Sequence, residues 1–263
     1  MAGLIKIFGE RNTSTNALTH LIRMNSQSQI ARGIAPELDP GIAQRVAKVA
    51  QSDRSAATRE AMIDAVFEKH GPQEAWKHTT PNFDDARVFS GCHVIFCVRH
   101  PASWVLGLHI RPYCIHGRPV NSISEFLDKQ WVTVGRERLG RKKTGAIALY
   151  NAKMKAYEQF QQKLSDAGIS FSIVRHEDFA VDQKGVFTAL APYLRAPAQQ
   201  PALVEASTKD KGKTRSYYTA YYGKQMWRRE IDAHSMMRIN AGICWKTLDP
   251  LGYRPVEPGD AAI

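Results

Sequence analysis

The segment GERNTSTN (Gly9–Asn16) gathers an arginine, three hydroxyls and two amides between an apolar run, Leu4–Phe8, and a helical one, Thr15–Met24. At a strand-to-helix junction, unpaired backbone N–H groups and the positive end of the helix dipole face outward and favour an anion. Arg11 adds a planar cation suited to phosphate or sulfate. Asn12, Thr13, Ser14, Thr15 and Asn16 add further donors. The same residues would serve as an ordinary helix cap through Thr13 or Ser14, and the segment alone does not choose between these uses. It is not a Walker A loop, because Ser14 and Thr15 stand where that motif has Gly-Lys. A dinucleotide fingerprint, G-x-G-x-x-G, is also absent.

The elements that must position this loop follow from hydrophobic patterning. Leu4–Phe8 reads as a buried strand, and Leu18, Leu21 and Ile22 share one face of the helix after it. Residues 25–37 are expected to be irregular, 41–51 and 54–69 helical, and Trp76–His78 a short extended piece before Pro81. HVIFCV (His93–Val98) has the continuous apolar character of a central parallel strand, and Pro101 suits the first position of a helix. Helices are expected at 122–136, 147–167 and 184–194, with a strand at Ser170–Val174. A basic, tyrosine-rich stretch spans 207–224, and helices follow at about 225–246. Strands alternating with helices predict an α/β fold, a three-layer sandwich whose mostly parallel sheet is flanked by helices. With no repeat and no linker in view, residues 1–263 are read as one domain.

Of 263 residues, 43% are hydrophobic and 23% charged, ordinary values for a globular chain. No apolar run approaches the roughly 18 residues of a membrane span. The first apolar stretch is broken by Lys6 and stops at Phe8, unlike a signal peptide, so a cytoplasmic location is expected. The net charge of +11 points to a polyanionic partner without choosing among nucleic acid, membrane surface, acidic polysaccharide or a phosphorylated nucleotide. The four cysteines, Cys92, Cys97, Cys114 and Cys244, lack metal-site spacing and read as buried, reduced structural thiols.

Four blocks, taken in order, resemble the sulfotransferase family that uses 3′-phosphoadenosine-5′-phosphosulfate (PAPS). GERNTSTN is similar to its 5′-phosphosulfate loop, in particular a bacterial variant reading G-E-R-N-S-G-T-N. VIFCVRHPASWVLGL (Val94–Leu108) resembles the 3′-phosphate motif, SIVRHEDF (Ser172–Phe179) a later strand ending in arginine, and KDKGKTRSYYTAYYG (Lys209–Gly223) the Lys-Gly segment that closes over the nucleotide. The resemblance implies a fold related to P-loop kinases, a PAPS donor, adenosine 3′,5′-bisphosphate as product, and no metal. It implies that Arg99 holds the 3′-phosphate and that Lys211, Gly212 and Lys213 cover the donor. The family's second 3′-phosphate ligand, a serine, falls at Gly107, so Ser103 is the candidate substitute. Ser14 stands where the family has a glycine.

Sulfuryl transfer needs aligned attacking and leaving oxygens, positive groups around the charged oxygens, and a base for the acceptor's proton. On the resemblance His78 is that base, Arg11 supplies charge at the sulfuryl group, and Lys77 is the third catalytic candidate. In a strand, adjacent Lys77 and His78 would point to opposite sides. His109, Arg111 and Tyr113 lie where an acceptor should approach, and are candidates to contact a hydroxyl-bearing acceptor such as a carbohydrate. Two readings compete: a P-loop-like kinase, and a degenerate relative that binds a nucleotide or polyanion without transfer. Nucleic-acid binding is disfavoured, since neither aromatic strand signatures nor a basic recognition helix is visible.

Overall fold

The computed structural model describes residues 3–49, 55–113, 120–206 and 212–257. The chain begins with β1 (Leu4–Gly9), α1 (Thr15–Asn25) and β2 (Gln29–Ile30), followed by α2 (Ala35–Leu38), α3 (Ile42–Val49) and α4 (Ser55–Glu68). The central strand β3 (Cys92–Val98) leads into α5 (Pro101–Ile110), then α6 (Ile123–Asp128) and the short strands β4 (Trp131–Val132) and β5 (Lys143–Thr144). The long helix α7 (Ala146–Asp166) precedes β6 (Phe171–Arg175), α8 (His176–Val181) and α9 (Gln183–Leu190). Last come α10 (Arg215–Gly223), α11 (Ala233–Gly242) and α12 (Trp245–Leu248).

Among the described residues the main sheet has four strands in the order β2-β1-β3-β6, and every pairing is parallel. Side chains alternate across it. Phe8, Val94, Phe96 and Val98 pack on one face against α5 and α7, while Ile5, Ile7, Ile95 and Cys97 pack on the other against α1 and α9. With both faces covered, the strands need continuous apolar runs, and the three-layer α/β expectation holds. The first layer centres on Phe160 of α7, whose ring lies 5.4 Å from both Phe83 and Phe89 and 6.2–6.3 Å from Phe8 and Phe96.

Several local expectations are corrected. The stretch 25–37 holds β2 and α2: two residues suffice to add an edge strand to β1, too few to show a period. The helix expected over 122–136 stops at Asp128, and β-branched Val132 and Thr133 help form an antiparallel β4–β5 ribbon instead. Helix α9 ends at Leu190 and a 3-10 turn carries the chain over Pro192. Trp76–His78 is not extended. Lys77 and His78 are the central residues of a turn closed by Thr79 N–H donating to the Trp76 carbonyl, 2.9 Å. Within the basic, tyrosine-rich stretch, to which patterning assigns no element, Arg215–Gly223 form helix α10. Cys92 and Cys97 are buried, but Cys244 is exposed, and Cys114 lies outside the described residues.

Phe160→Ala removes the ring that four other phenylalanines surround. Its expected cost is about 3–5 kcal/mol of unfolding free energy, read as a lowered urea midpoint with the m-value unchanged. A loss below 1 kcal/mol would show that this layer is not a packed core.

Candidate functional site

The turn out of β1 is tight enough to require glycine at its start. A Cβ on Gly9 would stand 2.7 Å from Cys97 Cβ and 2.7 Å from Thr15 Cγ2. Beyond it, three successive carbonyls are bound on the protein side. Glu10 O accepts from Thr13 Oγ1 (2.5 Å), Arg11 O from Trp104 Nε1 (3.1 Å) and Asn12 O from Arg99 Nη1 (2.8 Å). Asn12 and Ser14 take left-handed backbone, φ 63° and 65°. Asparagine tolerates that region, whereas serine adopts it at some cost.

Ser14 occupies the N-cap position of α1, yet its side chain makes no capping bond. Thr13 is bonded to Glu10, and Ser14 Oγ is 2.7 Å from His176 Nδ1. The ordinary-cap reading therefore fails. The amides of the first helical turn have no intrahelical partners, and Thr15, Asn16 and Ala17 line a cavity of about 260 Å³. Among the described residues, Arg99, Arg111, Lys213 and Arg215 also line it, against one carboxylate, Glu230, so this part of the wall favours an anion.

Arg99 follows β3 directly and is buried. Its Nε donates to Ser103 Oγ (2.9 Å), its Nη1 to Asn12 O, and its Nη2 to Tyr222 Oη (2.9 Å). A Cβ on Gly107 would stand 2.8 Å from Nη1, so the glycine makes room for the guanidinium. Ser103 is fully buried and off the cavity wall, and it orients Arg99 from behind.

His78 lines the cavity, while Lys77, beside it in the turn, donates to Asn16 Oδ1, itself on the wall. The turn explains how two adjacent side chains reach one loop. His78 Nδ1 is 2.5 Å from the Gly9 carbonyl, which can only accept, so Nδ1 carries the proton and Nε2 the lone pair. Burial, then the charges of Lys77 and Arg11, hold the imidazole well below its usual pKa. Behind the loop, fully buried Lys153 of α7 meets Glu10 Oε2 (2.9 Å) and Glu137 Oε1 (3.3 Å) and donates to the His78 carbonyl. Although burial opposes ionisation, Lys153 and Arg11 keep the Glu137 carboxyl below the usual range.

Arg11 belongs to this buried cluster and is not on the wall. Its guanidinium lies over Tyr113 (4.0 Å) and Trp76 (4.9 Å), 3.7 Å from Glu137. Of the candidate acceptor contacts, Arg111 lines the cavity. His109 instead donates to Val120 O (3.2 Å), and Tyr113 Oη accepts from Arg136 Nη2 (3.1 Å). Gly212 is off the wall, Lys213 is on it with its ammonium 4.8 Å from the Tyr217 ring centre, and Lys211 lies outside the described residues. Sequence reading passed over His176 and the tyrosines of α10. Tyr217, Tyr218, Tyr221 and Tyr222 all line the cavity, and their i, i+1, i+4, i+5 spacing was the available signal.

No protein-family model matches the chain, and no curated protein matches it. Among solved structures it is similar to a sulfotransferase domain from the curacin biosynthetic pathway. The two are 14% identical over 97% of this chain and 99% of that one, with a TM-score of 0.46.

The buried histidines make the fold acid-sensitive. Burial lowers His93 and His100 to about 4, and His78 and His176 are also lowered. His100 is fixed in a neutral tautomer, Nε2 donating to Arg254 O (3.0 Å) and Nδ1 accepting from Ala102 N–H (3.3 Å). Below the unfolded value of about 6.5 the unfolded chain binds more protons, so this stability, complete above pH 6.5, is lost as pH falls toward 4. Scanning calorimetry should show the melting temperature dropping through that window; a flat profile would contradict it.

Proposed function

We propose that the chain is a PAPS-dependent sulfotransferase that moves a sulfuryl group to a hydroxyl acceptor. One observation carries this reading: the uncapped N-terminus of α1, Arg99 and the lone-pair nitrogen of His78 open on the same cavity. Amides of a first helical turn bind a phosphosulfate well, and a buried arginine held by a serine, a tyrosine and a carbonyl offers a preset site for a second phosphate. The residues present therefore fit a bisphosphorylated anion. The donor supplies an activated sulfuryl group whose leaving group is adenosine 3′,5′-bisphosphate.

In this reading His78 takes the acceptor's proton on Nε2. Its Nδ1–H bond to Gly9 sets the tautomer, and burial beside cations keeps the ring neutral at neutral pH. Lys77 fixes Asn16 at the loop and adds positive charge near the transferring group. Arg11 shapes the loop from behind, as counter-ion to Glu137. The α10 tyrosines and Lys213 also line the cavity and supply aromatic surface for the nucleoside.

Calorimetry with adenosine 3′,5′-bisphosphate and with ATP, each with and without magnesium, tests the donor class. Tight, magnesium-independent binding of the bisphosphate is expected, weakened about 100-fold in Arg99→Ala by the loss of charge-assisted bonds worth about 3 kcal/mol. Preference for magnesium-ATP would replace this reading with a kinase. His78→Ala should retain bisphosphate affinity and lose about 10²–10⁴-fold in transfer of labelled sulfate from PAPS to a panel of phenols and sugars. Undiminished turnover would remove His78 as the base.

A further inference from the structure

We infer that His176, backed by Ser14, is a proton-coupled anion ligand, taking up a proton as a phosphate group settles beside Arg99. The inference rests on the donor reading above and adds to it a residue pair and a pH dependence.

Ser14 is the starting point. At φ 65° and ψ 13° Ser14 is out of the extended backbone a capping serine uses, and its side chain makes no capping bond. Its hydroxyl is bonded instead to His176, 162 residues away. His176 begins α8 directly after β6, is 8% exposed and lines the same cavity as Arg99. Its Nε2 is buried and has no hydrogen-bond partner among the described residues. A buried, unsatisfied ring nitrogen in a side chain that lines this cavity calls for a partner.

The groups facing the imidazole come from four elements. Ser14 approaches from the loop, Arg99 from the end of β3, and the Tyr222 ring from α10, edge-on at 4.5 Å and itself bonded to Arg99. On its own segment, Glu177 accepts from His100 N–H (3.0 Å) and Tyr253 Oη (2.7 Å), and Asp178 lies 3.8 Å from Arg175. Among the described residues no carboxylate bonds the ring. Burial, then the charge of Arg99, holds the imidazole well below its usual pKa.

An anion beside Arg99 reverses both influences. It offsets the arginine's charge and gives Nε2–H an acceptor. The imidazolium then donates from both nitrogens, Nδ1–H to Ser14 Oγ and Nε2–H to the phosphate oxygen. Ser14 thus supplies the acceptor that the charged form requires on its inner side, which glycine could not. Because binding raises the imidazole's proton affinity, binding must tighten as pH falls through the range where the free ring is neutral and the bound ring charged.

The test is calorimetry of adenosine 3′,5′-bisphosphate, and separately of pyrophosphate, between pH 6 and 8 in buffers of different ionisation enthalpy. The wild type should take up up to about one proton more per site than His176→Gln, since the ligand's own titration is common to both. Its affinity relative to that variant should rise about three- to tenfold per pH unit on acidification. Ser14→Gly should lower the uptake while still binding. In the wild-type chain, the His176 ring signals in NMR should move to imidazolium values on ligand addition, a readout that needs no variant to fold. Equal proton uptake in wild type and His176→Gln, or a His176 ring that stays neutral when bound, overturns the inference while leaving the donor reading intact. Proton-linked pyrophosphate binding, with the bisphosphate no tighter, overturns the donor reading and supports the inference. No binding of either probe by the wild type overturns both.

Discussion

Lys153 sits in the middle of α7 with its ammonium sealed from solvent, between Glu10 and Glu137 and against the carbonyl of His78. Arg11 completes the group beside Glu137, so two cations and two carboxylates share one buried site. An unpaired charge there would cost far more than the fold can bear, whereas the four together are mutually compensating. The consequence is geometric. Glu10 belongs to the loop after β1 and His78 to the turn before β3, and Lys153 holds both. The same junction carries two further bonds, Gly9 N–H to Lys77 O (2.9 Å) and His78 Nδ1–H to Gly9 O (2.5 Å). The proposed base and the proposed anion loop are thus one unit, braced from behind by a helix that contributes nothing to the cavity wall.

That bracing also decides what the loop shows to the cavity. With the carbonyls of residues 10 to 12 bound on the protein side, the negative ends of those peptides are directed away, and the unpartnered amides belong to the helix start. Arg99 serves both sides of this arrangement. It takes the Asn12 carbonyl inward and still lines the cavity, held by Ser103 and Tyr222.

The sheet was legible in the sequence because strands buried on both faces must be apolar throughout, and Leu4–Phe8, His93–Val98 and Ser170–Val174 lie within a residue or two of β1, β3 and β6. The loop was legible because its composition is unusual for a connection. What could not be read depends on contacts distant in sequence. Lys77 and His78 look like a strand locally and form a turn because Gly9 and Gly33 bond the Lys77 backbone. Helix α10 was hidden by the basic residues before it and by tyrosines, which are indifferent helix formers; its fixed points are Thr214, capping Tyr217 N–H, and contacts with α8. His176 carried no signal at all, since its partner is 162 residues away.

Gly107 and Ser14 look, in sequence, like two losses from an anion site. In the folded chain each is matched by a neighbour. Gly107 leaves the space that Arg99 fills, while Ser103, one helical turn earlier, accepts from the guanidinium. Ser14 gives up the freedom of a glycine and gains a bond to His176, whose ring packs against the tyrosine that also holds Arg99. The two positions therefore meet through Arg99 and Tyr222. Restoring a serine at 107 would push on the guanidinium, and through it on Asn12, the loop and the tyrosine beside His176. Restoring a glycine at 14 would leave the His176 Nδ1 without its partner. Each departure is sensible only with its companion, so under the proposed donor reading the site is an alternative way of holding an anion rather than an eroded one.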